Sequence, residues 1–208
     1  MLILTVKIPS EYLDKAVNQL AGLPGIGRRT ALRLALFLYD KPTVEIEDFT
    51  DSIKSLKTHT KRCQTCHSLC DSTLCNICLN PNREKGVICV VEEIQDVMAI
   101  ESTSVFKGSY HVLGGLISPI DGISPSDLSI NTLLSRIENT KVHEIIFALS
   151  PTMEGDTTAY YLFKKLKEQD ILITVLSRGV SIGAELQYTD ELSLSKSLEQ
   201  RLPYFDQD

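Results

Sequence analysis

Nowhere in its 208 residues does the chain hold an apolar run near the roughly eighteen that a membrane-spanning helix needs. Its first residues, MLILTVKIPSEYLDK, lack a basic start followed by a cleavable apolar stretch. A cytoplasmic location is therefore the expectation. Internal repeats and low-complexity segments are also missing, while a 43% hydrophobic content is enough for an ordinary buried core. An excess of positive charge is lacking too: the formal net charge is −6, which looks wrong for a protein that meets a polyanion. The distribution decides the matter. Residues 1–62 carry ten Lys/Arg against seven Asp/Glu, whereas the rest carry eleven against twenty. Any nucleic-acid contact is expected near the amino end.

Cysteine is present and clustered. Of six cysteines, five fall between positions 63 and 78. In a reducing compartment such a cluster argues for metal rather than for a disulfide framework. Cys63-x-x-Cys66 and Cys75-x-x-Cys78 form two knuckles, each able to offer two thiolates to one ion from a turn. Four thiolates suit tetrahedral zinc, and a closed four-sulfur site leaves no position for a reacting water, so the predicted role is structural. An iron–sulfur cluster is the alternative. His67 and Cys70 lie inside the loop and are read as bystanders, and Cys89 as a buried core thiol. The segment 62–83 has too few large apolar residues for a core of its own, so the metal is expected to hold it together.

Apolar spacing places a helix from Ser10 to Ala21, capped by Ser10 and ending near Gly22, then helices over Thr30–Leu38 and Ile46–His59. From Gly86 the pattern becomes strands alternating with helices. Strands are predicted at Val87–Val91, Tyr110–Leu113, Glu144–Leu149 and Ile171–Leu176, with helices at Ile94–Glu101, Asp127–Glu138 and Glu154–Glu168. Such alternation indicates a mostly parallel sheet covered on both faces.

Between the first two helices lies Leu-Pro-Gly-Ile-Gly, residues 23–27. Gly25 and Gly27 permit backbone angles closed to other residues and leave no side chain between the amides and a ligand. A helix start beyond them presents free N–H groups and the positive end of its dipole to a phosphate. Arg29 and Arg33, four residues apart, flank the same face, and Arg28 completes the candidate DNA-binding set. Gly22 to Arg29 superficially fits a phosphate loop, but Arg28 and Arg29 replace its lysine and hydroxyl, and no strand precedes it.

Strand 87–91 runs into Glu92, with Asp96 beyond, and strand 144–149 leads to Glu154-Gly155-Asp156. Ligands of open α/β sheets sit beyond the carboxyl ends of strands, so the four acids are placed to converge on magnesium. The plainer alternative is that Glu154 and Asp156 favour a helix start while Glu92 and Asp96 are solvated.

The hairpin Leu-Pro-Gly-Ile-Gly resembles the helix-hairpin-helix of DNA-repair proteins. Val90-Val91-Glu92 with Asp96, and Pro151 through Ala159, resemble the Toprim domain as it occurs in the RecR family. Leu113 through Pro125 is a long match to the same family, and Arg178 through Leu186, with Leu194-Ser195, is similar to its carboxyl-terminal Walker-B-like segment. The resemblance covers nearly the whole chain. Departures are Asp156 where the family usually has glutamate, Ala184 for a common glycine, and Arg28 for a usual proline.

What the resemblance implies is a multidomain α+β chain. Residues 1–61 are the helix-hairpin-helix region and 62–83 a four-cysteine zinc finger. Residues 84–177 are the Toprim domain, and 178–208 a Walker-B-like and oligomerisation segment. It implies a recombination mediator rather than an enzyme. Such proteins act with RecO and RecF so that RecA replaces single-strand-binding protein on DNA, and they assemble as dimers to tetrameric rings. The acidic Toprim face would then dock RecO or hold a magnesium ion. The alternative is a magnesium-dependent Toprim enzyme acting on DNA as a nuclease, primase or topoisomerase. A topoisomerase also needs a nucleophilic tyrosine, and Tyr160 and Tyr161 lie near the acids on an apolar-looking helix.

Overall fold

The computed structural model describes residues 8–181, 183 and 185–201. The chain divides into two compact units between His59 and Thr60.

The first unit is helical. Helix α1 spans Glu11–Ala21, with the Ser10 hydroxyl accepting from the Leu13 N–H at 3.4 Å, and it ends at Gly22. Helix α2 runs Arg28–Tyr39 and α3 Thr43–His59. Val17, Ala31 and Ala35 form a small core with Leu13, Leu20, Ile26 and Leu32 packed against it. The alanines let α1 and α2 approach closely. No residue of α3 is buried, and its apolar side chains Phe49, Ile53 and Leu56 are exposed.

The second unit opens with the cysteine segment. Its elements are the two-residue antiparallel strands β1 (Lys61–Arg62) and β2 (Leu69–Cys70) and the short helix α4 (Asn76–Leu79). A four-stranded sheet follows, built from β3 (Glu84–Val91), β4 (Gly108–Val112), β5 (Glu144–Ala148) and β6 (Leu172–Val175). Its order is β4-β3-β5-β6, and every pairing is parallel. Val87–Val91 is buried throughout, as a central strand with both faces covered demands.

Alternate residues of the strands serve two cores. Ile88, Val90, Ile145 and Phe147 pack with Leu133 and Ile137 of α6 (Ile130–Asn139) and with Leu162 and Leu166 of α7 (Met153–Leu166). Cys89, Val91, Tyr110 and Val112 face Val97 of α5 (Ile94–Ser102). The expected cover is thus complete on one face only. A single helix lies on the second, and Leu172 and Leu176 at the β6 end are exposed. Helix α8 (Glu191–Glu199) follows, and the Ser197 hydroxyl accepts from the Val180 N–H at 2.8 Å. Ile182 and Ala184 of the Walker-B-like stretch, and residues 1–7 and 202–208, lie outside the described residues.

One glycine fixes how α7 meets the sheet. A Cβ on Gly155 would sit 1.9 Å from the carbonyl oxygen of Ser150, backbone that cannot yield cheaply. Gly155→Ala is expected to cost about 3 kcal/mol, the upper range for overpacking, read as a lower denaturant midpoint. An unchanged midpoint would contradict the packing described.

Candidate nucleic-acid interface and metal centre

The hairpin turn is exposed from Gly22 to Gly25 and again from Gly27 to Thr30. Gly25 has φ +77, so it needs the left-handed freedom of glycine. Gly27 does not use that freedom: its φ of −77 is open to any residue, and a Cβ there would meet nothing within 4 Å. Its lack of a side chain therefore answers no internal packing need. As N-cap of α2 it supplies no side-chain hydrogen bond, which leaves the helix start without a side-chain cap among the described residues. Helix α2 begins at Arg28 rather than Thr30, so Arg28, Arg29 and Arg33 all belong to it.

The three arginines are not equivalent. Arg28 turns back onto α1, donating to Asp14 Oδ1 at 2.7 Å and to Asn18 Oδ1 at 2.6 Å. Both partners of this ion pair are about half exposed, so it contributes at most about 1 kcal/mol. Arg29 and Arg33 are exposed and pair with no carboxylate among the described residues.

The four cysteines are brought together. The sulfurs of Cys63, Cys66, Cys75 and Cys78 all lie within 4.8 Å of one another, with Cys66 and Cys75 3.5 Å apart. A tetrahedral centre with bonds of about 2.3 Å has sulfur–sulfur edges of about 3.8 Å, so these side chains fit a single ion. Backbone N–H groups already point at the sulfurs: Cys75 donates to Cys63 Sγ and Cys78 to Cys75 Sγ, each at 3.4 Å. Burial pushes the Cys63 thiol up, but N–H groups of Cys66, Cys75 and Thr65 outweigh it and bring the thiol down to about 7. Cys75 is raised by burial to about 11, and Cys66 is raised further by its hydrogen bond with Cys78. Protons held by these last two sulfurs are what a divalent cation would displace. Cys70 turns away to the Ser72 carbonyl oxygen at 3.0 Å, and Cys89 is buried in the sheet.

The cysteine segment is anchored to the sheet. The Val112 N–H donates to the Cys66 carbonyl oxygen at 2.8 Å, extending from the β4 edge. His67 has φ +61, and its Nε2 lies 2.8 Å from Thr132 Oγ1, with its ring edge-on to His111. His111 is fully buried, and its Nε2 lies 2.8 Å from the Ser129 carbonyl oxygen. Only a donor satisfies that oxygen, so Nε2 carries the hydrogen and Nδ1 is left without a partner among the described residues. Burial pushes His111 down to about 3. A histidine depressed below its unfolded value of about 6.5 leaves stability intact above that pH and withdraws it as pH falls toward 3. The loss reaches about 1.4 kcal/mol per pH unit. The native chain is expected to lose stability more steeply than His111→Gln between pH 6.5 and 4.5, as measured by chemical denaturation; parallel profiles would contradict this.

Glu92 directly follows β3, Asp96 lies in the first turn of α5, and Glu154 and Asp156 lie in the first turn of α7, each separately engaged or free. Glu92, at the end of β3, accepts from the Ser150 hydroxyl at 2.7 Å. Asp96 caps α5 by accepting from the Glu93 N–H at 2.8 Å. Asp156 is held by Arg178 at 2.6 and 3.3 Å, and that guanidinium lowers its pKa. Glu154 is half-buried at the start of α7. Among the described residues, the cysteines alone form a group of three or more ligating side chains within reach of one ion. No three of the four acids are therefore gathered within reach of one ion. Arg178, 22 residues from Asp156, gave no local signal of this pairing. Tyr160 is exposed and lies under Lys164, while Tyr161 packs against the core.

A helical hairpin unit, a four-cysteine centre and a parallel sheet with acids at its strand ends define a Toprim-containing protein with a helix-hairpin-helix. Residues 86–177 match the Toprim domain, 13–57 the RecR helix-hairpin-helix and 179–201 the RecR C-terminal family. The chain is 48% identical over 200 residues to recombination protein RecR of Porphyromonas gingivalis, covering 96% of this chain and 97% of that one. It is 51% identical over 193 residues to recombination protein RecR of Phocaeicola vulgatus, covering 93% and 94% respectively. The chain belongs to the RecR family. No helix among its described residues is long and apolar enough to cross a membrane.

Proposed function

We propose that this protein is a DNA-binding mediator of recombinational repair, working in the cytoplasm with RecO and RecF to let RecA replace single-strand-binding protein on gapped DNA. The observation that carries the reading is the uncapped start of α2 at Gly27, with Arg29 and Arg33 exposed beside it on a chain that is otherwise acidic. Free N–H groups, a positive dipole end and two guanidinium groups form a phosphate site that reads no base. Gly25, Gly27 and these arginines grip the strand; Arg28 contributes mainly by bracing the hairpin through Asp14.

The four cysteines hold zinc in a structural role, since four sulfurs complete its coordination. The acidic strand ends dock RecO, and a magnesium ion there competes with Arg178 for Asp156. Uncovered apolar surface in both units, on α3 and at Leu172 and Leu176, supports self-association into a dimer or a tetrameric ring. The experiment is a RecA-loading assay on gapped DNA coated with single-strand-binding protein, with RecO and RecF added. Faster RecA filament formation is expected, with the DNA recovered intact. A cut or extended strand that disappears with Glu154→Ala would replace this reading with that of a magnesium-dependent enzyme.

A further inference from the structure

Arg136 is the cation whose position the function above leaves unexplained. It projects from α6 into a cleft of about 220 Å³ that it shares with Cys78, Thr65, Leu74, Ile77 and Ser109. Its guanidinium donates to the Tyr110 carbonyl oxygen at 2.6 Å and to the Ser109 hydroxyl at 2.7 Å, both neutral acceptors. No carboxylate among the described residues pairs with it. The other cations of the cleft are accounted for: Arg83 is paired with Glu101, and Lys85 is exposed. A half-buried guanidinium without a carboxylate is costly unless some other negative charge faces it.

The cysteine centre borders the same cleft through Cys78. Four thiolates around one divalent cation keep two uncompensated negative charges, and no lysine or arginine among the described residues donates a hydrogen bond to their sulfurs. Burial lowers the pKa of Arg136, and the nearby thiols of Cys78, Cys66, Cys63 and Cys75 oppose that effect. We propose that Arg136 is the charge-compensating residue of the four-cysteine centre, a Toprim-domain side chain that sets how tightly the cysteine module keeps its metal. Its two hydrogen bonds aim the guanidinium from β4, so the sheet holds the counter-charge in place for a module that has little core of its own. The inference rests on reading the four cysteines as metal ligands.

The test follows zinc transfer from the purified full-length chain to an excess of a chromophoric chelator, after the zinc content per chain has been measured. Outer partners of metal ligands typically alter affinity by about 10–100-fold, and release from Arg136→Gln is expected to accelerate by that order. Arg136→Lys keeps the charge and should recover most of the loss. In the cobalt-substituted chain, the sulfur-to-cobalt charge-transfer band should move to longer wavelength in Arg136→Gln and stay in place in Arg136→Lys; a purely structural role would leave it fixed in both. Native release and an unmoved band in Arg136→Gln would overturn the inference, as would equally fast release from both variants. If the glutamine variant does not fold, the lysine variant decides: native release with an unmoved band supports the role, and a shifted band overturns it. A native chain that carries no metal would refute the metal reading itself, an outcome distinct from these.

Discussion

Stripping the metal from the four cysteines is expected to unfold residues 62–83 and leave the parallel sheet standing. The segment has two strands of two residues each and a four-residue helix. Its buried cluster consists of Cys63, Cys66 and Cys75, with only Leu74, Ile77, Cys70 and Cys78 packed against it. Such a cluster cannot offset the backbone entropy of ordering some twenty residues at roughly 1–2 kcal/mol each. Metal binding in comparable centres contributes about 10–16 kcal/mol, a large share of that cost. Cys66→Ala should act as chelation does, because it removes one of the four buried or half-buried sulfurs that face one another. Hydrogen exchange provides the readout: amides of 62–83 should lose protection on chelation, whereas those of β3 and β5 keep theirs. Unchanged protection across 62–83 would mean that side-chain packing alone maintains the module.

Replacing Arg29 and Arg33 together by alanine is expected to weaken DNA binding and to flatten its dependence on salt. If each guanidinium neutralises one phosphate, the slope of log affinity against log salt on duplex DNA falls by about 0.9 per residue. Arg28→Ala should change the slope less, because Asp14 and Asn18 already occupy that side chain. Its effect should appear instead as a small loss of stability of the helical unit. Titrations at several salt concentrations separate the two behaviours. A double variant with the native slope would place the phosphate contacts elsewhere on the molecule.

Local periodicity made most of the architecture legible. Helices α1 and α5 and strands β3 and β5 fall within a few residues of their expected bounds, because each repeats apolar residues at the spacing that its own geometry buries. Helix α6 starts at Ile130 instead of Asp127, because Pro125 to Asp127 form a separate turn of 3-10 helix in which the Asp127 carboxylate accepts from Ser124. The cysteine knuckles were legible because paired ligands on short turns are themselves a local pattern. Pairings between distant residues left no such trace: Arg28 with Asp14, Arg178 with Asp156, and Arg136 facing the cysteine centre each join segments that only the folded chain brings together. Gly27 is informative for a related reason. A glycine suggests an unusual backbone angle, yet here the angle is ordinary and the open space before the helix is the informative feature.

The most direct measurement of the phosphate-site account is the response of individual backbone amides when a short oligonucleotide is added at moderate salt. The amides of Gly27, Arg28, Arg29 and Thr30 should show the largest nuclear magnetic resonance shifts, weakening as salt rises. Shifts concentrated among the acids beyond the strand ends, with residues 25–31 unmoved, would contradict it.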